Sequence, residues 1–155
     1  MALQTMTSRW TPVLTLAMIL GAAGCDDPLE PEEHAEAGGV VLLAAGSGTV
    51  LSRSIGANAA FDAPLTVPLG GTLEVRVLFL DEAAPADLDR AFPPHEDEGE
   101  SLRVTVANGA IASFTAHGDH GDFSGLAAGT TTASVDLLHG DHADFESGDL
   151  TIVVQ

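Results

Sequence analysis

Between Thr72 and Leu80 the chain alternates: Leu73, Val75, Val77 and Phe79 fall on one side of an extended backbone, and Thr72, Glu74 and Arg76 on the other. A two-residue period is the mark of a strand that buries one face and wets the other. Leu102, Val104 and Val106 alternate with Arg103 and Thr105 in the same way. Further short extended segments are predicted at 40–44, 49–55, 65–69, 111–115, 122–126, 130–138 and 150–154. Pro64 and Pro68 confine the 65–69 segment to a sheet edge, because proline has no N–H to give to a ladder. Beyond residue 24 no segment sustains the 3.6-residue apolar period of a helix. Short strands at regular spacing, with Gly and Asn turns between them, predict an all-β sandwich or small barrel.

The amino terminus bears on compartment. One basic side chain, Arg9, precedes a mostly apolar run from Trp10 to Leu20, and small residues then lead into the only cysteine, Cys25. Residues 1–24 read as a secretory signal, and the apolar run falls short of the about 20 residues a membrane-spanning helix needs. Ala22-Ala23-Gly24-Cys25 resembles a bacterial lipobox, with Leu20 five places before the cysteine where three is usual. That resemblance implies a lipidated Cys25 as the first mature residue, and hence a membrane partner through the anchor and an envelope location on the periplasmic or extracellular side. Without it, the segment is an ordinary signal peptide with an incidental cysteine. Residues 25–39, acidic and interrupted by Pro28 and Pro31, have no apolar periodicity and read as a flexible tether, with His34 solvated within it. Residues 40–155 form the folded domain.

All 23 acidic residues follow Cys25, against four arginines and no lysine, so the mature chain carries a formal charge of −19. Such a surface repels nucleic acid and anionic lipid and attracts cations. Acidity also serves solubility, so it is weak support for a bound metal.

One phrase occurs twice, 22 residues apart: His117-Gly118-Asp119-His120-Gly121-Asp122-Phe123 and His139-Gly140-Asp141-His142-Ala143-Asp144-Phe145. Imidazole and carboxylate are the usual protein ligands of zinc, copper and nickel. In an extended chain residues three apart point to opposite faces, so the two histidines of a copy can meet only across a turn. Gly118 and Gly140 permit a positive φ, and Asp119 and Asp141 favour Asx-turns, so a turn is predicted in both copies. Phe123 and Phe145 are predicted core residues. His139 continues the row of Ala133, Val135 and Leu137, whereas His117 is opposite in parity to Phe114, so the copies need not be equivalent.

The stretch from Val104 to Thr115, followed by Gly125 to Val135 with its Leu-Ala-Ala-Gly-Thr run at 126–130, resembles the group 2 bacterial immunoglobulin-like domains. The resemblance covers roughly residues 70–155; Gly109 stands where that family usually has proline. It implies an immunoglobulin-like antiparallel β-sandwich with 72–80 as strand B, 102–106 as C, 111–115 as D, 122–126 as E, 130–138 as F and 150–154 as G. In that topology the B–C, D–E and F–G connections leave one pole. Both histidine phrases would lie there, beside His95 and its neighbours Glu96, Asp97, Glu98 and Glu100.

The expected site is therefore His117, His120, His139 and His142 around one divalent transition ion, with Asp119, Asp141 and His95 as further ligands or groups that orient them. Calcium would leave the histidines unexplained, and the lack of nearby Cys or Met argues against Cu(I). Imidazoles bind metal only when neutral, so uptake should weaken below about pH 6.5. No enzyme is expected: no Ser-His-Asp or Cys-His arrangement is available, and the His-x-His pair by which copper–zinc superoxide dismutases hold metal on a similar sandwich does not occur. The competing reading is a structural or adhesive module without metal that contacts another envelope protein. Oligomeric state is not readable from the sequence.

Overall fold

The structure, a computed structural model, describes residues 36–155. The signal segment, Cys25, His34 and the tether up to residue 35 lie outside the described residues.

Among the described residues ten strands occur in order: β1 (Ala37–Ala44), β2 (Val50–Ile55), β3 (Leu65–Val67), β4 (Thr72–Asp81), β5 (Glu100–Val106), β6 (Ala112–His117), β7 (His120–Gly125), β8 (Gly129–His139), β9 (His142–Glu146) and β10 (Leu150–Val154). They form two sheets, β2-β1-β4-β7-β6 and β3-β10-β8-β5, with β9 added beside β8. All pairings are antiparallel except β3 with β10, which run parallel. The fold is an all-β, immunoglobulin-like sandwich.

The alternation dictates the core. Val75, Val77 and Phe79 of β4 are buried with Val40 and Leu42 of β1 and Phe123 of β7; the other sheet contributes Val135, Leu137, Leu150 and Ile152. Phe79 sits centrally, its ring 6.4 Å from that of Phe92 and 6.0 Å, edge-on, from that of Phe145. The proline-bounded strand β3 lies at a sheet edge, as its composition requires.

Three features depart from the sequence reading. The upper half of β4 is buried on both faces: Leu78 and Leu80 join Val41 in a second apolar cluster, packed by Leu43 and Ala91. The connection after β4, expected as an acidic loop, folds back along the strand. Phe79 and Phe92 exchange backbone N–H···O bonds of 2.7 and 2.9 Å, and Arg90 pairs with Asp81.

The domain also begins earlier than residue 40. Ala37 of β1 already pairs with Asp81, so 37–39 belong to the sheet and not to the tether. Glycine is demanded here by close approach: a Cβ on Gly39 would lie 2.5 Å from the carbonyl oxygen of Ser54, and one on Gly38 2.5 Å from the Cα of Glu82.

Finally, β9 is a strand where a loop was expected. Strand β10 covers only 129–133 of the eleven-residue β8, and β9 takes the edge that β10 leaves, pairing with 136–139. Ser147 bridges the gap, its hydroxyl accepting the Val135 N–H at 2.8 Å.

Strand β4 ends at Asp81, β5 begins at Glu100, and Glu100 pairs with His139 at the end of β8. That end of the sandwich is the histidine pole. At the other end the Leu69 N–H donates to the carbonyl of Gln155.

Candidate metal centre

Each copy of the repeated phrase closes a two-residue hairpin. His117 pairs with His120 across β6–β7, and His139 with His142 across β8–β9. Gly118 has φ +68° and Gly140 φ +61°, which puts glycine at the first central position, as in type II′ turns. The turn places the two histidines of each copy opposite one another on one face, with Cβ atoms about 4.5–5.5 Å apart. In the first copy the residue two further along the second strand, Asp122, shares that face; in the second copy a β-bulge leaves Asp144 without a partner on β8, beside the two histidines. Phe123 points the other way and is buried in the core; Phe145, brought opposite Leu137 by a register shift in the second copy, is buried there too.

In the second copy the ligands converge. The His139 and His142 rings are 5.6 Å apart, and the Asp144 carboxylate lies between them, 3.5 Å from Nδ1 of His139 and 3.2 Å from Nε2 of His142. One ligand atom from each residue lies within 4.8 Å of the others, and all three residues are exposed. Zinc–nitrogen bonds of about 2.0–2.1 Å set tetrahedral ligand atoms about 3.3 Å apart, so small side-chain rotations would close the set around an ion. Among the described residues this is the one His/Cys/Asp/Glu group so assembled, and it takes no ligand from the first copy.

The first copy is arranged differently. His117 Nε2 is 3.6 Å from Asp122, but His120 has turned to Asp119, its Nδ1 2.5 Å from the carboxylate. Arg76, paired with His120 in the β4–β7 register, donates to the same carboxylate at 2.7 Å. Partial burial pushes the Asp119 carboxyl up, yet the Arg76 hydrogen bond and the charges of His120 and Arg76 outweigh it and hold the group below the usual carboxylate range. The Asp119 carbonyl accepts the Val77 N–H at 2.7 Å, so this hairpin stops partway along β4. Gly121 replaces Ala143 here for a steric reason: a Cβ at 121 would lie 2.0 Å from the Phe114 ring.

His95 is engaged elsewhere. Its N–H donates to Glu100 at 2.8 Å, its Nδ1 is 3.2 Å from the same carboxylate, and its ring stacks on Phe92 at 5.6 Å. The turn that follows it reaches toward both hairpins. The Glu96 carboxylate is 3.4 Å from where a Gly118 Cβ would be, and the Gly99 carbonyl accepts the Gly140 N–H at 3.1 Å. Asp141 is fully exposed at the tip of its turn, 3.9 Å from His142 Nδ1. Of the expected site residues, then, His139 and His142 come together. The candidate ligand absent from the expected set is Asp144, which a β-bulge between Ala143 and Phe145 places beside the two imidazoles.

A cleft of about 540 Å³ opens beside this group, lined by His139, Asp144, Glu36, Glu82, Glu98 and Glu100 over Leu137 and Phe145. The Glu82 carboxyl is raised above its ordinary value, first by its hydrogen bond with Glu36 and then by the Glu36 charge. A carboxyl with a raised folded-state pKa supports the fold while protonated, and that support is lost as pH rises through the raised value. Glu82→Gln is therefore expected to raise the thermal midpoint at pH 7 relative to the native chain. The difference should shrink below pH 4, and an unchanged gap at both pH values would contradict the shared proton.

No protein-family model and no curated protein matches the chain. Among solved structures it is similar to the S-layer protein SbsC domains 4 and 5, at 14% identity and a TM-score of 0.40; the match covers 67% of this chain and 52% of that one, about half its length. No helix among the described residues is long and apolar enough to cross a membrane.

Proposed function

We propose that this chain is an envelope lipoprotein, anchored at Cys25, whose group 2-type immunoglobulin-like domain binds a divalent transition metal through His139, His142 and Asp144. The observation that carries the reading is the convergence of two imidazoles and a carboxylate within 4.8 Å on one face of a hairpin. Two nitrogens and one oxygen suit zinc, copper(II) or nickel, and three protein ligands leave coordination positions open to water or another donor.

The setting favours exchange over burial. All three ligands are exposed, so an ion enters and leaves without unfolding the domain. The net charge of −18 and the carboxylates of the adjoining cleft raise the local cation concentration and speed capture. The β8–β9 ribbon is pinned by the buried Phe145, which limits motion of the ligands. These properties fit a protein that takes up and hands on an ion rather than one that transforms a substrate.

The test is zinc, copper and nickel uptake by the untagged chain in equilibrium dialysis, with thermal unfolding alongside. Ligand at about 100 times its dissociation constant adds about 2.7 kcal/mol of stability, which raises the midpoint visibly. No uptake and no shift with any of the three ions would remove the metal reading and leave the adhesive module. The anchor has its own measurement: labelled fatty acid should be incorporated by the native chain in bacteria and lost in Cys25→Ser.

A further inference from the structure

We infer that the first copy of the repeat is a second, weaker metal site formed by His117, His120 and Asp122, which an incoming ion completes by drawing His120 away from Asp119. This goes beyond the single site proposed above, because it rests on the other hairpin.

The two hairpins share a turn and a facing pair of histidines, and differ in that the second carries a β-bulge at Asp144 while the first is regular, with Asp122 on the face of its histidines. Each has a two-residue turn with glycine first, at φ +68° and +61°. Each sets two histidines directly across from one another, and each ends in a buried phenylalanine that fixes the second strand. In each, the first histidine lies near the following aspartate: Nε2 of His117 is 3.6 Å from Asp122, and Nδ1 of His139 is 3.5 Å from Asp144.

In the first copy the second histidine is turned away from the set. His142 faces Asp144, whereas His120 faces Asp119, which Arg76 also holds. The His120 and Arg76 side chains are each nearly half exposed, so the contact is a solvated one of small worth. Freeing His120 should lower metal affinity by no more than about fivefold from this contact. The Arg76 charge beside the site disfavours a cation further. Ions should therefore fill the second copy first and the first copy at higher concentration, giving a chain that holds one ion or two according to supply.

The experiment is calorimetric titration of the intact, untagged chain with zinc chloride, read together with the imidazole NMR signals. Two ions per native chain are expected, the His139 and His142 signals moving first and those of His117 and His120 at higher zinc. The His139→Ala/His142→Ala chain should keep one weaker ion, which His117→Ala then removes. Asp119→Asn retains the carbonyl that accepts from Val77 and should tighten the weaker site by up to about fivefold. One ion per native chain, with His117 and His120 signals unmoved at saturation, would overturn the inference while leaving the His139 site standing. A His139→Ala/His142→Ala chain that binds as the native chain does would instead overturn the proposed function and leave the first copy as the sole site.

Discussion

Replacing Phe79 by alanine is expected to lower the unfolding free energy of the domain by about 3–5 kcal/mol. The ring is fully buried at the centre of the sandwich, between Phe92 of the returning connection and Phe145 of β9. Alanine would forfeit the transfer free energy of a benzyl group and leave a cavity that two sheets held in register cannot close. It would also remove two aromatic contacts, each worth about 0.5–1.5 kcal/mol beyond the area they bury. Against a total stability of about 5–15 kcal/mol for a domain of this kind, the loss is a large share. Urea denaturation measures it as a lower midpoint at unchanged slope. A loss under about 1 kcal/mol would mean that the core refills the space. Because Phe145 shares β9 with His142 and Asp144, part of the cost should appear as weakened metal uptake.

The second large effect is on binding. His139→Ala and His142→Ala each take away one of the three proposed ligands, and each should lower affinity by more than the about 10–100-fold that follows loss of a group merely orienting a ligand. Asp144→Ala should cost a comparable amount, since its carboxylate stands between the two imidazoles. Asp141→Ala is the control: Asp141 lies at the exposed tip of the turn and off the converging set, so uptake by the second copy should change little. Equilibrium dialysis with zinc separates these outcomes. If Asp144→Ala binds as the native chain does while Asp141→Ala fails, the ligand set has been drawn on the wrong aspartate.

Much of the fold can be read from the chain because the first half of β4, and β5, turn one face to the core and so print a two-residue period. What escapes the reading has physical causes. The unbroken run Val77-Leu78-Phe79-Leu80 signals burial on both faces, but nothing in residues 82–99 says that this acidic connection covers the second face. Strand β9 hides because only Ala143 and Phe145 turn inward among charged neighbours, a pattern shared with many polar loops. Gly38 and Gly39 resemble a linker in composition, while their role is to let three backbones approach.

At the site, the residue types and the turns are local and were legible. Asp122 follows from the turn length, whereas Asp144 depends on a β-bulge that no local pattern announces. The link from Arg76 to Asp119 spans 43 residues, and no local pattern could reveal it.

The chain enters β1 at the histidine pole and leaves β10 at the opposite one, and each of these strands is bonded on both sides, β1 by β2 and β4, β10 by β3 and β8. Tension drawn through the domain from end to end would pull both strands along their own length. Ladder bonds lie across that direction and so share the strain together, in shear, rather than opening one after another. Under pulling, the lifetime of the folded state is set by its unfolding rate, so this arrangement should resist end-to-end force longer than one whose ladder opens a bond at a time.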